Sequence, residues 1–368
     1  MKIYQKIIFY TLLAFGAVFI SLVISVFLFK EKIINEFIRE ANKNLNTPVN
    51  IGKMDISFFH NFPHLSIVLK DVYIEDSHEG KYPLLTASEI SFELNPVALW
   101  TGDYTIEGLS IRDSETNLKI NAQGKNNYTI VKKGDGTQAA SAISFQLKDV
   151  SLENTVVNYI DINIEQHLTF KSSDLIATIT SANDVYEIEA EGELTTERIS
   201  VNKNEFLTGK SFQLEGNLSY DDVQKSLLIR PSTLFVRNSV FNVEGTYSWK
   251  KENVIDITTK GTDTDIQTLL SLLTDPVAKK FQHYKSKGNV FFSARLKGEI
   301  SRKVSPAINI DFGFKDATLY NPSSKSEITE ASMEGSFSSR EVLDIERAVL
   351  HLKNIKAKLN DEPFIADF

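Results

Sequence analysis

The residues able to do chemistry in this 368-residue chain are few and dispersed. Six histidines stand at positions 60, 64, 78, 167, 283 and 351, and cysteine is absent. Without thiols there is no disulfide framework, thiol nucleophile or thiolate-bound zinc, and the composition suits a reducing or an oxidising compartment equally. His60 and His64 have the i, i+4 spacing of a helical metal pair. Pro63 lies between them in an extended context, which argues against a ligating helix. Asp263-Thr264-Asp265 looks like an acidic metal pair, but an apolar helical run follows it, so a helix N-cap is the better reading. Glu187, Glu189, Glu191 and Glu193 alternate along one strand and mark its solvated face rather than a cation site. Asp221-Asp222 falls where the strand 212–220 ends and reads as a turn. No phosphate loop, nucleophile elbow or dinucleotide fingerprint is present. The expectation is a chain with no catalytic residues, no metal and no cofactor, and therefore not an enzyme.

The elements that would position any site are strands. From Val49 onward the hydrophobic period is mostly two: Ile90, Phe92 and Leu94, then Tyr186, Ile188 and Ala190, then Phe241 and Val243, then Val290, Phe292 and Ala294. One wet and one dry face per strand is the mark of antiparallel sheet. Five times the alternation slips by one at a short polar or glycine dipeptide: Lys70-Asp71, Glu107-Gly108, Lys148-Asp149, Lys315-Asp316 and Glu346-Arg347. A bulge at each dipeptide would return the resumed apolar residues to the original face and curl the sheet. The fold expected is mostly β: an N-terminal transmembrane helix, then an elongated, curved antiparallel β-sheet groove of repeated strands with a short helical insertion. Residues 48–260 form the groove body, 261–287 the helical insertion, and 288–368 the continued groove. Gly134 to Ser141 reads as a flexible loop. The last residues stop in strand-like sequence, so the chain reads as an N-terminal portion of a longer protein.

Ile7 to Phe29 is an uncharged run of 23 residues, spanning ~34 Å as a helix, enough for the hydrocarbon core. A cleaved signal would have a shorter apolar region and a small-residue cleavage site, so 1–29 reads as an uncleaved anchor. Residues 30–47 follow as a juxtamembrane amphipathic helix. Residues 1–53 hold seven Lys/Arg against three Glu, a net of +4, leaving −12 on the remainder of a chain whose total is −8. An acidic body argues against nucleic-acid partners. Basic residues flank both ends of the anchor, so charge alone leaves its orientation open.

Two helical segments cannot cover some twenty one-faced strands. Leaving a large apolar side chain in water forgoes ~1.5–3 kcal/mol. The dry face must therefore pack on another sheet, close into a barrel, or hold an apolar ligand.

Thr47 to Ile51, Phe58 to Leu65 (FFHNFPHL) leading into Leu69 to Ile74 (LKDVYI), Gly102 to Ile106 (GDYTI) and Gly124 to Tyr128 (GKNNY) together resemble the start of AsmA family proteins. The helix Asp265–Leu273 followed by Gly288 is similar to the family's middle region. The resemblance implies a single-pass inner-membrane protein held by residues 7–29 with its body in the periplasm. It further implies a β-groove similar to bridge-like lipid transfer proteins, contributing to outer-membrane lipid homeostasis. The expected partners are membrane lipids, held by their acyl chains, with envelope proteins as further partners. Residues expected to line the groove are Ile67, Leu69, Ile90, Phe92, Leu94, Ile106, Phe145, Leu147, Tyr186, Ile188, Val290, Phe292, Phe312 and Phe314. The alternative expectation is an envelope scaffold that assists outer-membrane protein assembly through exposed strand edges.

Overall fold

A computed structural model describes residues 45–57, 60, 64–98, 104–130, 143–182, 184–201, 204–206, 208–237, 239–271, 283, 285–301, 304–339, 348–359 and 362–366, with isolated positions before 45. Apart from those isolated positions and residues 45–47, the expected anchor and amphipathic helix lie outside the described residues, as does Gly134 to Ser141. Among the described residues no helix is long and apolar enough to cross a membrane. The described chain is mostly β, with seventeen strands against the expected twenty and one short helix. It divides into two compact units: residues 1–114 with 128–149, and residues 115–127 with 150–368.

In the first unit β1 (Val49–Ser57) pairs antiparallel with β2 (Leu65–Glu75), and β2 with β3 (Pro83–Leu94). The unit also contains most of β4 (Tyr104–Ile120) and the start of β5 (Ile143–Asp161). Its core is a cluster of Leu65, Ile67, Leu69, Val72, Ala87, Ile90, Leu94 and Ile106. The cluster shows the phase slip at work. Leu65, Ile67 and Leu69 alternate, Lys70-Asp71 intervenes, and Val72 rejoins the same cluster. Asp71 achieves this with a left-handed backbone (φ 53°) inside an unbroken strand. Aspartate tolerates that conformation better than most residues. Gly52 faces Asp71 across the β1–β2 ladder, and a Cβ at Gly52 would sit 2.9 Å from that of Asp71. Glycine is needed at this close approach.

The other dipeptides behave unequally. Ile106 and Leu109 on either side of Glu107-Gly108 both reach the cluster, but the left-handed residue of β4 is Asp113 (φ 47°). Ser88 Oγ donates to Arg112 O and to Asp113 Oδ2, both at 3.0 Å, and so ties β3 to that bend. Lys148-Asp149 is ordinary strand, and β5 turns left-handed at Asn154 instead. Glu346-Arg347 lies outside the described residues. None of the four described dipeptides is a turn between strands.

In the second unit the strands follow one another across an antiparallel sheet. From β5 the order is β6 (Gln166–Ala182), β7 (Val185–Val201), β9 (Lys210–Asp221), β10 (Ser226–Val236) and β11 (Ser239–Ser248). It continues through β12 (Val254–Thr264), β13 (Lys285–Glu299), β14 (Ala307–Asn321), β15 (Ser326–Ser338), β16 (Val349–Leu359) and β17 (Glu362–Ala366). The short β8 (Asn204–Phe206) folds back on the end of β7. Among the described residues no ladder joins β17 back to β5, so this sheet is open.

Lys315-Asp316 is a bulge as expected: Asp316 is left-handed (φ 50°), and the register of β14 shifts against both neighbours there. Serines staple the irregularities. Ser172 Oγ donates to Glu193 O (2.8 Å), Ser332 Oγ accepts the Asp316 N–H (3.4 Å), and Ser232 Oγ donates to Arg230 O (2.9 Å) while accepting the Asn217 N–H (3.0 Å). Such side chains satisfy backbone groups that a bulge removes from the ladder.

A short helix, α1 (Ile266–Ser271), follows β12. Asp265 caps it: Oδ1 accepts the Thr268 N–H (2.8 Å) and Oδ2 the Thr268 hydroxyl (2.7 Å). The cap reading of Asp263-Thr264-Asp265 therefore holds. Ile266 packs with Ala317 and Ala331, and with Val290, Phe314 and Leu319 around them.

Candidate functional site: an uncovered apolar face

Residues directly opposite in a ladder share a face, so register defines the surface. One row runs Ile179, Ile188, Leu218, Ile229, Gly245, Ile257, Leu296 and Ile308 from β6 to β14. A second runs Leu175, Gly192, Leu214, Leu234, Phe241, Gly261, Phe292, Phe312, Gly335 and Leu352 from β6 to β16. The adjoining row is Tyr186, Tyr220, Leu227, Tyr247 and Ile255. Gly245 fits its row because the chains crowd there. With φ +154°, a Cβ would stand 2.1 Å from Asp256 O.

The reverse face is mainly polar, with Ile176, Leu228 and Phe291 also standing on it, 40–50 % exposed. Thr178, Glu189 and Asn217 stand between the apolar rows of β6, β7 and β9, as do Glu244, Thr258, Arg295 and Asn309 farther along. Arg295 grips Asp256 with two bonds, Nε to Oδ1 and Nη2 to Oδ2, each 2.8 Å, and Lys297 approaches at 3.4 Å. The Arg295 bonds, then Lys297, hold the Asp256 carboxyl below the usual range against its partial burial. Arg230 and Ser219 do the same for Glu187.

Among the described residues nothing covers this face. Ile179, Ile188, Leu218, Ile229, Ile257, Leu296 and Ile308 are all half-exposed, whereas Ile67 in the first unit is 1 % exposed. The two margins differ. At one, Phe241 is 3 % exposed and meets Phe292 edge-on (5.9 Å), beside the helix-covered cluster of Ile266, Ala317 and Ala331. At the other, four aromatic rings stand side by side: Tyr186–Tyr220 at 5.8 Å, Tyr220–Trp249 at 5.9 Å and Tyr247–Trp249 at 5.3 Å. The Tyr220 hydroxyl donates to Asp222 Oδ1, which Lys225 also holds at 2.6 Å.

The residues expected to line a groove divide between the units. Ile67, Leu69, Ile90, Leu94 and Ile106 are buried in the first unit, with Phe92 and Leu147 packed against them. The side chain of Phe145 lies outside the described residues. Ile188, Phe292 and Phe312 lie in the uncovered rows, and Tyr186 on the aromatic margin. Val290 and Phe314 belong to the cluster beside α1. Leu214, Leu218, Tyr220, Ile229, Leu234 and Ile257 were not among the expected lining residues. Alternation in 212–220 (FQLEGNLSY) was the signal for the β9 members.

The family model of the AsmA family matches residues 1–228. The chain belongs to the AsmA family. Membership fits an envelope-associated function. No curated protein and no solved structure matches the chain. This AsmA protein pairs two histidines with carboxylates in the first unit. His60 Nε2 lies 3.3 Å from Glu89, and His64 lies between Glu93 (3.8 Å) and Glu107 (3.7 Å), all in the first unit. His167 is held below the usual imidazole range, first by burial and then by Arg198. Among the described residues no group of three or more His, Asp or Glu is placed to hold a metal ion. The uncovered face offers half-exposed aliphatic and aromatic surface, which is chemistry for binding hydrocarbon.

Proposed function

We propose that this AsmA protein is a lipid-transfer protein of the cell envelope, anchored in the inner membrane by residues 7–29, with its body in the periplasm. Phospholipid acyl chains lie on the apolar face of β6–β14, and headgroups stay in water. No catalytic step or cofactor is invoked. The observation that carries this reading is the row from Ile179 to Ile308, which is half-exposed on every strand it crosses. Covering each such side chain with hydrocarbon would recover a share of the ~1.5–3 kcal/mol available from full burial. A row of this kind also lets an acyl chain pass from strand to strand without meeting a charge, because the charged residues named above point to the reverse face. The test is native mass spectrometry of the full chain extracted from membranes. Co-purified phospholipid that is lost on Leu218→Glu supports the reading, and a lipid-free chain overturns it.

A second reading has its own observation. Ile176, Leu228 and Phe291 are 40–50 % exposed on the reverse face, apolar surface that another chain could cover. That would suit a scaffold assisting outer-membrane protein assembly. Photo-crosslinkers at Ile188 and Phe292 separate the readings: lipid adducts favour the conduit, and protein adducts the scaffold.

A further inference from the structure

The apolar face is not symmetric across its width, and this gives a bound lipid a direction. We propose that a phospholipid on this face lies along the strands with its headgroup at the Tyr186–Tyr220–Tyr247–Trp249 margin and its chain ends toward Phe241 and Phe292. The inference rests on the lipid-transfer reading above. The other margin is largely apolar: Phe241 and Phe292 meet edge to face, the cluster beside them is capped by α1, and the polar groups there, Asp265 with Ser239 and Thr268, bond one another. The aromatic margin is amphipathic, since tyrosine and tryptophan present an apolar body and a polar tip, and such side chains collect where hydrocarbon meets water. Charge of both signs stands beside it, with Lys225 on Asp222 (2.6 Å) and Lys250 on Gln224 (2.9 Å). This mixture suits a headgroup that carries a phosphate and an amine.

The width agrees. Tyr247 stands six residue steps along β11 from Phe241, or ~20 Å of extended strand. One leaflet of hydrocarbon is about half of ~30 Å. An acyl chain laid along the strands therefore fits between the margins, with its ester end among the rings.

The chain carries its own reporter, because it has two tryptophans, Trp100 and Trp249. With Trp100→Phe, Trp249 alone fluoresces from the aromatic margin. The full-length variant is loaded with phosphatidylethanolamine brominated either beside the ester carbonyl or near the methyl end, and binding is verified by native mass spectrometry. Loss of Trp249 emission with the ester-proximal bromines, and its retention with the distal ones, is expected. A second reporter, Phe292→Trp with Trp100→Phe and Trp249→Phe, should give the opposite order. Stronger quenching of Trp249 by distal bromines overturns the direction. Bound lipid that quenches neither reporter overturns the margin assignment while leaving lipid binding intact. A dimer that shields Trp249 from bound lipid overturns it as well. Failure to bind any lipid removes the lipid-transfer reading and this inference with it.

Discussion

Replacing Leu218 by glutamate would put a carboxylate in the middle of the uncovered row, opposite Ile188 on β7 and Ile229 on β10. Two quantities then move by different amounts. Leu218 is already half-exposed, so the folded state loses a fraction of the ~1.5–3 kcal/mol of full burial, about 1 kcal/mol. An acyl chain lying on the row would meet a charge in hydrocarbon, a penalty of ~3 kcal/mol on insertion scales. That is about two decades in affinity. Ile67→Glu is the contrast. Ile67 is 1 % exposed and packed within the first unit's cluster, so an unpaired carboxylate there should cost ~3–5 kcal/mol of stability. Thr258→Glu supplies the same charge on the polar face, opposite Arg295, and should leave both quantities unchanged. Thermal unfolding of the full chain and lipid counted per protein by native mass spectrometry read the two effects. If Leu218→Glu keeps as much lipid as Thr258→Glu, the row does not bind acyl chains. If it lowers the melting temperature as far as Ile67→Glu, the face is a closed core.

Three further outcomes follow from the packing. Gly245→Ala forces a Cβ against Asp256 O at a positive φ and should destabilise the second unit by ~1–3 kcal/mol, read by urea unfolding. Asp265→Ala removes both bonds to Thr268 and should weaken α1 by about 1 kcal/mol, with faster amide exchange at Thr268 as the measure. The third concerns pH. Asp256, Glu187 and Asp222 have folded-state pKa values below their ordinary ones, so their pairs stabilise the fold above about pH 4 and lose that contribution as acid protonates them. Unfolding followed from neutral pH down to acid should show that loss, and Asp256→Asn should remove part of it. A pH-independent melting temperature through the acid range would contradict the assignment.

The strands were legible because alternation is a direct image of which face is wet. The phase slips were legible for the same reason: Leu69 and Val72 could share a cluster only if the backbone turned between them. Where the backbone does so was less visible. Asp71 and Asp316 sit at the slipped dipeptides, but β4 and β5 put their left-handed residues at Asp113 and Asn154. The side-chain pattern records the face, whereas the left-handed position also depends on the facing strand, as the Ser88 bonds to Arg112 and Asp113 show. A further slip in β10 was not among the five expected, and Pro231 interrupts the alternation there. The ladder of β10 shifts register between Ile229 and Ser232, a bulge of the kind that admits proline, and Leu234 rejoins the apolar side. The division of the expected lining residues between a buried cluster and an open face could not be read from alternation. Ile67 and Ile188 have the same local pattern, and only long-range packing separates them.

The order of the ladders in the second unit has a consequence for how it comes apart. Nearly every strand there bonds to the strand just before it and the strand just after it in the chain, the β7–β9 step over β8 being the main departure. Such a sheet behaves as a row of coupled hairpins, each held chiefly by its two neighbours, with a free energy that is close to a sum along the row. It should unzip progressively rather than all at once. Amide exchange should be slowest in the long β6–β7 hairpin and faster in the shorter strands of the row.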